Sequence, residues 1–269
     1  MHPRISVDDL CFPGASLDSN LESFRKLEAR RIGIVAPKLV AAGLEQGIAK
    51  LTRSEFVVAT VVQPFMSRYG LENKSHWEEG RTELFRAIEA AQALRAESIY
   101  MLSGGRGQLT WEEAADAFCE AVAPCAAAAK AAGIPLLIEP APSLYCDLSI
   151  THTLRDTVKL AEQADIGVCI DIFACWTEAE LRETILRAAP RCGLVQVSDY
   201  VMGDRAIPCR AVPGDGHIPL DRILGWILDS GYKGAFDLEL LGPRIDAEGH
   251  LEAVRRSAAW LGAFLKLER

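Results

Sequence analysis

Short apolar runs alternate with longer amphipathic stretches along the chain. Eight runs carry a strand signature: residues 4–7 (RISV), 31–35 (RIGIV), 56–62 (FVVATVV), 98–102 (SIYML), 135–139 (PLLIE), 167–171 (GVCID), 193–196 (GLVQ) and 236–239 (FDLE). They are short, rich in β-branched residues and apolar on consecutive positions, the pattern of strands buried on both faces. Between them, apolar residues recur at helical spacing. Leu17, Leu21, Phe24 and Leu27 mark one such face, and Leu84, Ile88, Ala91 and Leu94 another. Helices are predicted over about 17–29, 40–51, 81–94, 111–132, 153–163, 178–189, 220–228 and 251–265. Ser16 or Asp18 suits the start of the first, and Gly133 ends the Ala-rich fourth. Regular strand–helix alternation implies a parallel sheet, and eight such units predict one (β/α)₈ TIM barrel. No linker or composition break interrupts residues 1–269, so a single domain is expected.

The third strand is followed by QPFMSRYGLENKSHWEEG, longer than the usual βα loop. It carries Phe65, Tyr69, His76 and Trp77, which would make a lid or substrate wall if they faced the barrel mouth, and an ordered surface loop if they did not. SGGRG follows the fourth strand but lacks the P-loop Lys-Ser/Thr and the GxGxxG spacing. A turn that lets a ligand approach the backbone explains it better than a phosphate cradle.

The length of 269 residues matches one TIM barrel, and 49% hydrophobic with 25% charged residues is ordinary for a globular protein. The net charge of −8 argues against non-specific nucleic-acid binding. None of the eight cysteines forms a CxxC pair, which excludes zinc-ribbon and thioredoxin readings. The first residues lack a signal-peptide pattern, and no apolar run is long enough to span a membrane. A reduced, cytoplasmic protein with no membrane or nucleic-acid partner is expected.

The chemistry concentrates in the second half. Glu139, Asp171, Gln196 and Glu239 each end one of the last four strands, where a TIM barrel places its functional groups. Three carboxylates and an amide oxygen are hard ligands. They suit Mn²⁺ or Mg²⁺, with Zn²⁺ or Co²⁺ as alternatives. Asp8 and Asp9 follow the first strand at the same predicted mouth. Arg210, His217, Asp199, His152 and Trp77 are the candidate substrate-binding residues. Arg210 has a surface alternative in Asp204 or Asp215, His152 a capping or packing alternative, and His217 a turn-shaping one. Asp199, three residues after Gln196, could orient a ligand from behind.

With those residues in view, the sequence resembles the xylose isomerase-like TIM-barrel superfamily, which includes sugar phosphate isomerases and epimerases. The resemblance spans nearly the whole chain and is strongest in LLIEP (136–140), CIDIF (169–173), VQVSD (195–199), RAVPGDGHIPL (210–220) and FDLEL (236–240). It implies one divalent metal held by Glu139, Asp171, Gln196 and Glu239. Glu139 and Glu239 would double as the acid/base pair, and Arg210 would hold substrate. Two positions depart from the epimerase pattern. Ala174 stands where a His commonly follows the strand-six Asp, and Gln196 where His is commonest. Relatives are often dimers or tetramers, so a homo-oligomer is the implied assembly.

Such a site fits proton abstraction beside a carbonyl, with the metal stabilising the enediolate and a carboxylate on each substrate face. The leading reading is therefore a metal-dependent isomerase or epimerase acting on a sugar, polyol or related polyhydroxy carbonyl compound. The alternatives are a metal-dependent lyase or dehydratase on a related substrate and a non-catalytic metal-binding barrel subunit. The DNA-repair branch of the superfamily uses a His-rich zinc cluster, and the five histidines here avoid the strand ends.

Overall fold

A computed structural model describes residues 1–267. Eight parallel strands close into a barrel in chain order: β1 (Ile5–Asp8), β2 (Arg31–Val35), β3 (Val57–Gln63), β4 (Ile99–Met101), β5 (Leu136–Ile138), β6 (Gly167–Asp171), β7 (Cys192–Val197) and β8 (Phe236–Leu238). The last strand pairs with the first, Val7 opposite Leu238. The expected (β/α)₈ barrel is the observed fold.

The helices around it are α1 (Leu17–Lys26), α2 (Ala36–Ala41), α3 (Leu44–Thr52), α4 (Trp77–Leu94), α5 (Trp111–Ala132), α6 (Leu154–Ala164), α7 (Ile172–Cys175), α8 (Leu181–Ala188), α9 (Leu220–Asp229), α10 (Pro243–Glu248) and α11 (His250–Leu267). Their ends follow local chemistry. Ser16 caps α1 by accepting from the Ser19 N–H, and Thr110 with Glu113 forms a reciprocal capping box on α5. Gly133 ends α5 in the left-handed conformation. The helix expected at 40–51 is two helices, because Gly43 turns the chain at φ +80° between α2 and α3.

Two apolar layers result. The outer one joins helices to the outside of the sheet. The inner one fills the barrel with Val35, Ala59, Val62, Tyr100, Leu137, Cys169, Leu194 and Ala235. Side chains alternate in and out along each strand. So Leu137, Cys169 and Leu194 plug the barrel one step below Glu139, Asp171 and Gln196, raising the polar residues to its mouth. All eight cysteines are free thiols. Among the described residues, no helix is long and apolar enough to cross a membrane.

Candidate active site

Asp171 ends β6, and its registered partner on β7 is Gln196. Glu139 and Glu239 directly follow β5 and β8, and all four side chains are buried. Gln196 Nε2 donates to Glu239 Oε2 at 2.6 Å, while its Oε1 lies 3.4 Å from Cys169 Sγ.

Arg210 enters this acidic group from the loop after β7. Asp199 and Ala211 form an antiparallel bridge that folds the loop back over the barrel. The buried Arg210 guanidinium then donates to both oxygens of Asp171, at 3.1 and 2.9 Å, and to Ser198 Oγ at 3.0 Å. It lies 3.2 Å from Glu239 Oε1. A two-pronged Arg–carboxylate pair of this kind is strong and directional. Asp171 Oδ1 also accepts from the Phe173 N–H at 3.0 Å, capping α7. Phe173 in turn presents its ring to the guanidinium, 4.7 Å from centroid to Cζ. The surface alternatives for Arg210 do not form, since Asp204 pairs with Arg244 and Asp215 with Arg256.

Burial and mutual repulsion shape the acids. Burial pushes Glu239 up to about 7; the Arg210 charge opposes that shift and Asp171 adds to it. Glu139 is held well above the ordinary carboxylate range by burial, then by the charges of Glu239 and Asp171, with Arg210 again opposing. Burial alone weakens the Arg210 charge, but Asp171 and Glu239 more than offset it, leaving its pKa above the ordinary arginine value.

A second acidic layer lies deeper. Asp8 is fully buried, and Tyr100 reaches it from β4 with its hydroxyl 3.4 Å from Asp8 Oδ2. Gly33 makes room for Asp8: a Cβ there would lie 2.7 Å from Asp8 Oδ2. Asp237 lies beside Ser6 and Asp8, yet neither of its carboxylate oxygens makes a well-formed hydrogen bond. Burial raises Asp237 to about 7 and Asp8 well above its ordinary value, the Asp8 shift reinforced by Asp237 and Asp9. Asp9 is raised to about 6 by burial, against the nearby Lys38 charge. Sequence reading placed Asp8 and Asp9 at the mouth but missed Asp237. The signal was available, because Asp237 is two residues before Glu239 and a strand repeats its faces every two residues.

The other sequence candidates separate into neighbours of the site and supports. His152 lines a cavity beside the mouth and holds Ala141 O through Nδ1 at 3.0 Å. Asp199 is buried, and its carboxylate accepts from the N–H groups of Tyr200, Gly214, Gly216 and Ile218 at 2.8 to 3.0 Å. Its four accepted bonds pin the PGDGH loop, whose start carries the Asp199–Ala211 bridge beside Arg210. His217 is exposed and accepts from the Met202 N–H at 3.2 Å, which makes it a turn-shaping residue.

Trp77 is also corrected. It is buried in the outer core, and its indole N–H donates to Leu71 O at 3.2 Å. Phe65 is buried against Phe118, and Tyr69 stacks on His76 while its hydroxyl bonds Glu83. The long segment after β3 spends its aromatics on packing because 3₁₀ turns at Phe65–Arg68 and Lys74–His76 fold it onto α4 and α5.

The cavity beside the mouth has a volume of about 410 Å³ and lies among the loops after β5, β6 and β7. Tyr145, Phe173, Trp176 and Tyr200 line it, with Ala174 among them. It meets the acidic cluster through Phe173 and through Tyr145, whose hydroxyl pKa burial raises and the Arg210 charge lowers.

The fold and the strand-end acids together define a TIM barrel with a polar cluster at the C-terminal mouth. The chain belongs to the xylose isomerase-like TIM barrel family, which matches residues 17–264. Among solved structures, it is similar to a protein from Sinorhizobium meliloti, with a TM-score of 0.86, 21% identity, and coverage of 95% of this chain and 96% of that one. It is similar to the IOLI protein with a bound zinc atom, at TM-score 0.82 and 15% identity over 97% of each chain. D-psicose 3-epimerase from Clostridium cellulolyticum, solved with D-tagatose, gives a TM-score of 0.71 at 16% identity, covering 95% of this chain and 91% of that one. No curated protein matches the sequence.

The similar IOLI structure carries a zinc atom, and the donors at this mouth are of a kind that can take a divalent cation. Glu139, Asp171 and Glu239 are oxygen donors, Gln196 adds an amide oxygen, and the negative charge exceeds what one guanidinium neutralises. As the side chains stand, no three His, Cys, Asp or Glu residues among the described ones are grouped to grip an ion. Arg210 takes both Asp171 oxygens, and Gln196 turns its NH₂ toward Glu239. The cluster is therefore in an arginine-bound arrangement, with donors of the right kind engaged by an internal cation.

Proposed function

We propose that the chain is an isomerase or epimerase that moves a proton beside the carbonyl of a polyhydroxy substrate, with Glu139 and Glu239 as its acid/base pair. The observation that carries this reading is geometric: two buried carboxyls, Glu139 and Glu239, follow different strands at one mouth, with the Arg210 guanidinium 3.2 Å from Glu239 Oε1. Glu239 is held at about 7, close to the best compromise between being ionised and being basic. Glu139 is pushed well above the ordinary carboxylate range by burial, then by the charges of Glu239 and Asp171. Glu139 and Glu239 follow β5 and β8, well separated around the barrel, which lets them address different faces of a bound sugar. Arg210 keeps Glu239 from rising further and holds Asp171 in place.

Glu139, Asp171, Gln196 through Oε1, and Glu239 would hold a divalent cation, Mn²⁺ or Mg²⁺ by the hardness of the donors. Bound there, it supplies Lewis-acid stabilisation of the negative charge that proton removal leaves on the substrate. The chain's own residues do the rest. One of Glu139 and Glu239 takes the proton and the other returns one from the opposite side, and the apolar plug of Leu137, Cys169 and Leu194 closes the barrel beneath them.

The test is proton exchange in D₂O with a panel of aldoses, ketoses and polyhydroxy acids, with Mn²⁺ or Mg²⁺ added. Exchange at the carbon next to the carbonyl is expected. Glu139→Gln and Glu239→Gln should each lower turnover by about 10²-fold or more. In an epimerase the two variants differ, one still exchanging a proton without forming product. An unsaturated product would assign a lyase instead. No exchange with any substrate by a metal-loaded protein would end the enzymatic reading and leave a binding subunit.

A further inference from the structure

The cavity beside the mouth differs in chemistry from the acidic cluster. Tyr145, Phe173, Trp176 and Tyr200 give it aromatic walls, and Leu144 and Ile207 line it while remaining 68% and 49% exposed. Both place apolar surface at the edge of the cavity. Several polar groups nearby are engaged. The Tyr200 hydroxyl donates to Asp204 O at 2.8 Å and receives Arg205 Nη1 at 3.1 Å. Asp204 is held by Arg244, and His152 Nδ1 by Ala141 O. Aromatic walls suit a flat apolar group.

Ala174 lines this space with a small side chain. It sits in α7 beside Phe173, whose ring both lines the cavity and faces the Arg210 guanidinium. The volume of about 410 Å³ falls within the ~300–1,000 Å³ typical of ligand pockets. Resting on the reading above, we propose that this cavity is a subsite for an aryl or similarly flat apolar substituent. The substrate is then a polyhydroxy carbonyl compound carrying such a group, its polar part at Glu139, Arg210 and Glu239 and its ring against Trp176 and Tyr200.

The test uses phenyl and methyl β-D-glucopyranoside as probes of the full chain, by calorimetry and saturation-transfer NMR. The phenyl compound should bind roughly tenfold or more tightly than the methyl one, as burial of a ring's extra apolar area requires. Trp176→Ala and Ala174→Leu should each remove most of that advantage, with folding checked by circular dichroism. Equal affinities, an advantage that survives both substitutions, or no saturation transfer to the phenyl compound at about 10 mM would overturn the subsite. The outcome is separable from the fate of the isomerase reading. A phenyl preference without proton exchange on any carbonyl substrate keeps the subsite and removes the isomerase. Exchange on free sugars without a phenyl preference does the reverse.

Discussion

Arg210→Met is the perturbation on which the electrostatics of the mouth depend most. The substitution keeps an unbranched side chain and removes the charge that faces Asp171 and Glu239. It also removes the bond to Ser198 Oγ. Breaking a buried ion pair from one side typically costs about 3–5 kcal/mol. At roughly 2–4 °C per kcal/mol for a domain of this size, the metal-free variant should melt about 10 °C lower near pH 7.5. The loss should depend on pH in a fixed direction. Arg210 lowers the Glu239 pKa, so its removal raises that value further above about 7. A carboxyl whose folded pKa is raised binds more protons in the fold than in the unfolded chain. Its destabilising effect therefore develops as pH rises above the unfolded value near 4 and is complete only above the folded value. The variant's deficit should be largest above neutrality and shrink towards about pH 5. Urea unfolding of both proteins in EDTA at several pH values measures it, and Mn²⁺ should restore part of the loss by replacing the missing charge. A deficit below about 1 kcal/mol at pH 7.5, or one that does not change towards pH 5, would refute the account of Arg210 as the cluster's internal counter-charge.

Two further substitutions separate support from site. Trp77→Ala should cost about 3–5 kcal/mol of stability by emptying a core position, with KM for any substrate unchanged; a raised KM at unaltered stability would return the segment after β3 to the mouth. Asp199→Ala should release the amides of Gly214, Gly216 and Ile218, read as lost hydrogen-exchange protection at those positions, and should raise KM through a loosened Arg210; retained protection would show that the loop holds itself.

The barrel was legible because its strands are buried on both faces and so cannot hide among polar residues. β2 and β6 coincide with their apolar runs, and the other six strands differ by a residue or two at an end. The four strand-end groups followed from the same frame. The charge arrangement did not. The Arg210–Asp171 pair spans 39 residues and needs the Asp199–Ala211 bridge to exist first, which periodicity does not reveal. Trp77 was misread because length and aromatic content identify a segment that does something, without telling a wall that faces ligand from a plug that faces the core. Asp237 was passed over because an acid inside a short apolar run reads as an interruption, until the alternation of faces puts it under Glu239.

Strand order has a consequence for synthesis. The seam between β1 and β8 joins residues more than two hundred positions apart, and Arg4 reaches across it to Gly234 O and Tyr232 O at 3.0 Å. Until β8 pairs with β1, the sheet is an open ribbon with two unpaired edges, the form most prone to sticking to another chain. The acids arrive in an order that eases the final step. Asp8, Glu139 and Asp171 are made first and Arg210 follows, before Asp237 and Glu239. The counter-charge is thus already on the nascent chain when the last two carboxylates emerge, and the repulsion that they bring is met only as the ribbon closes.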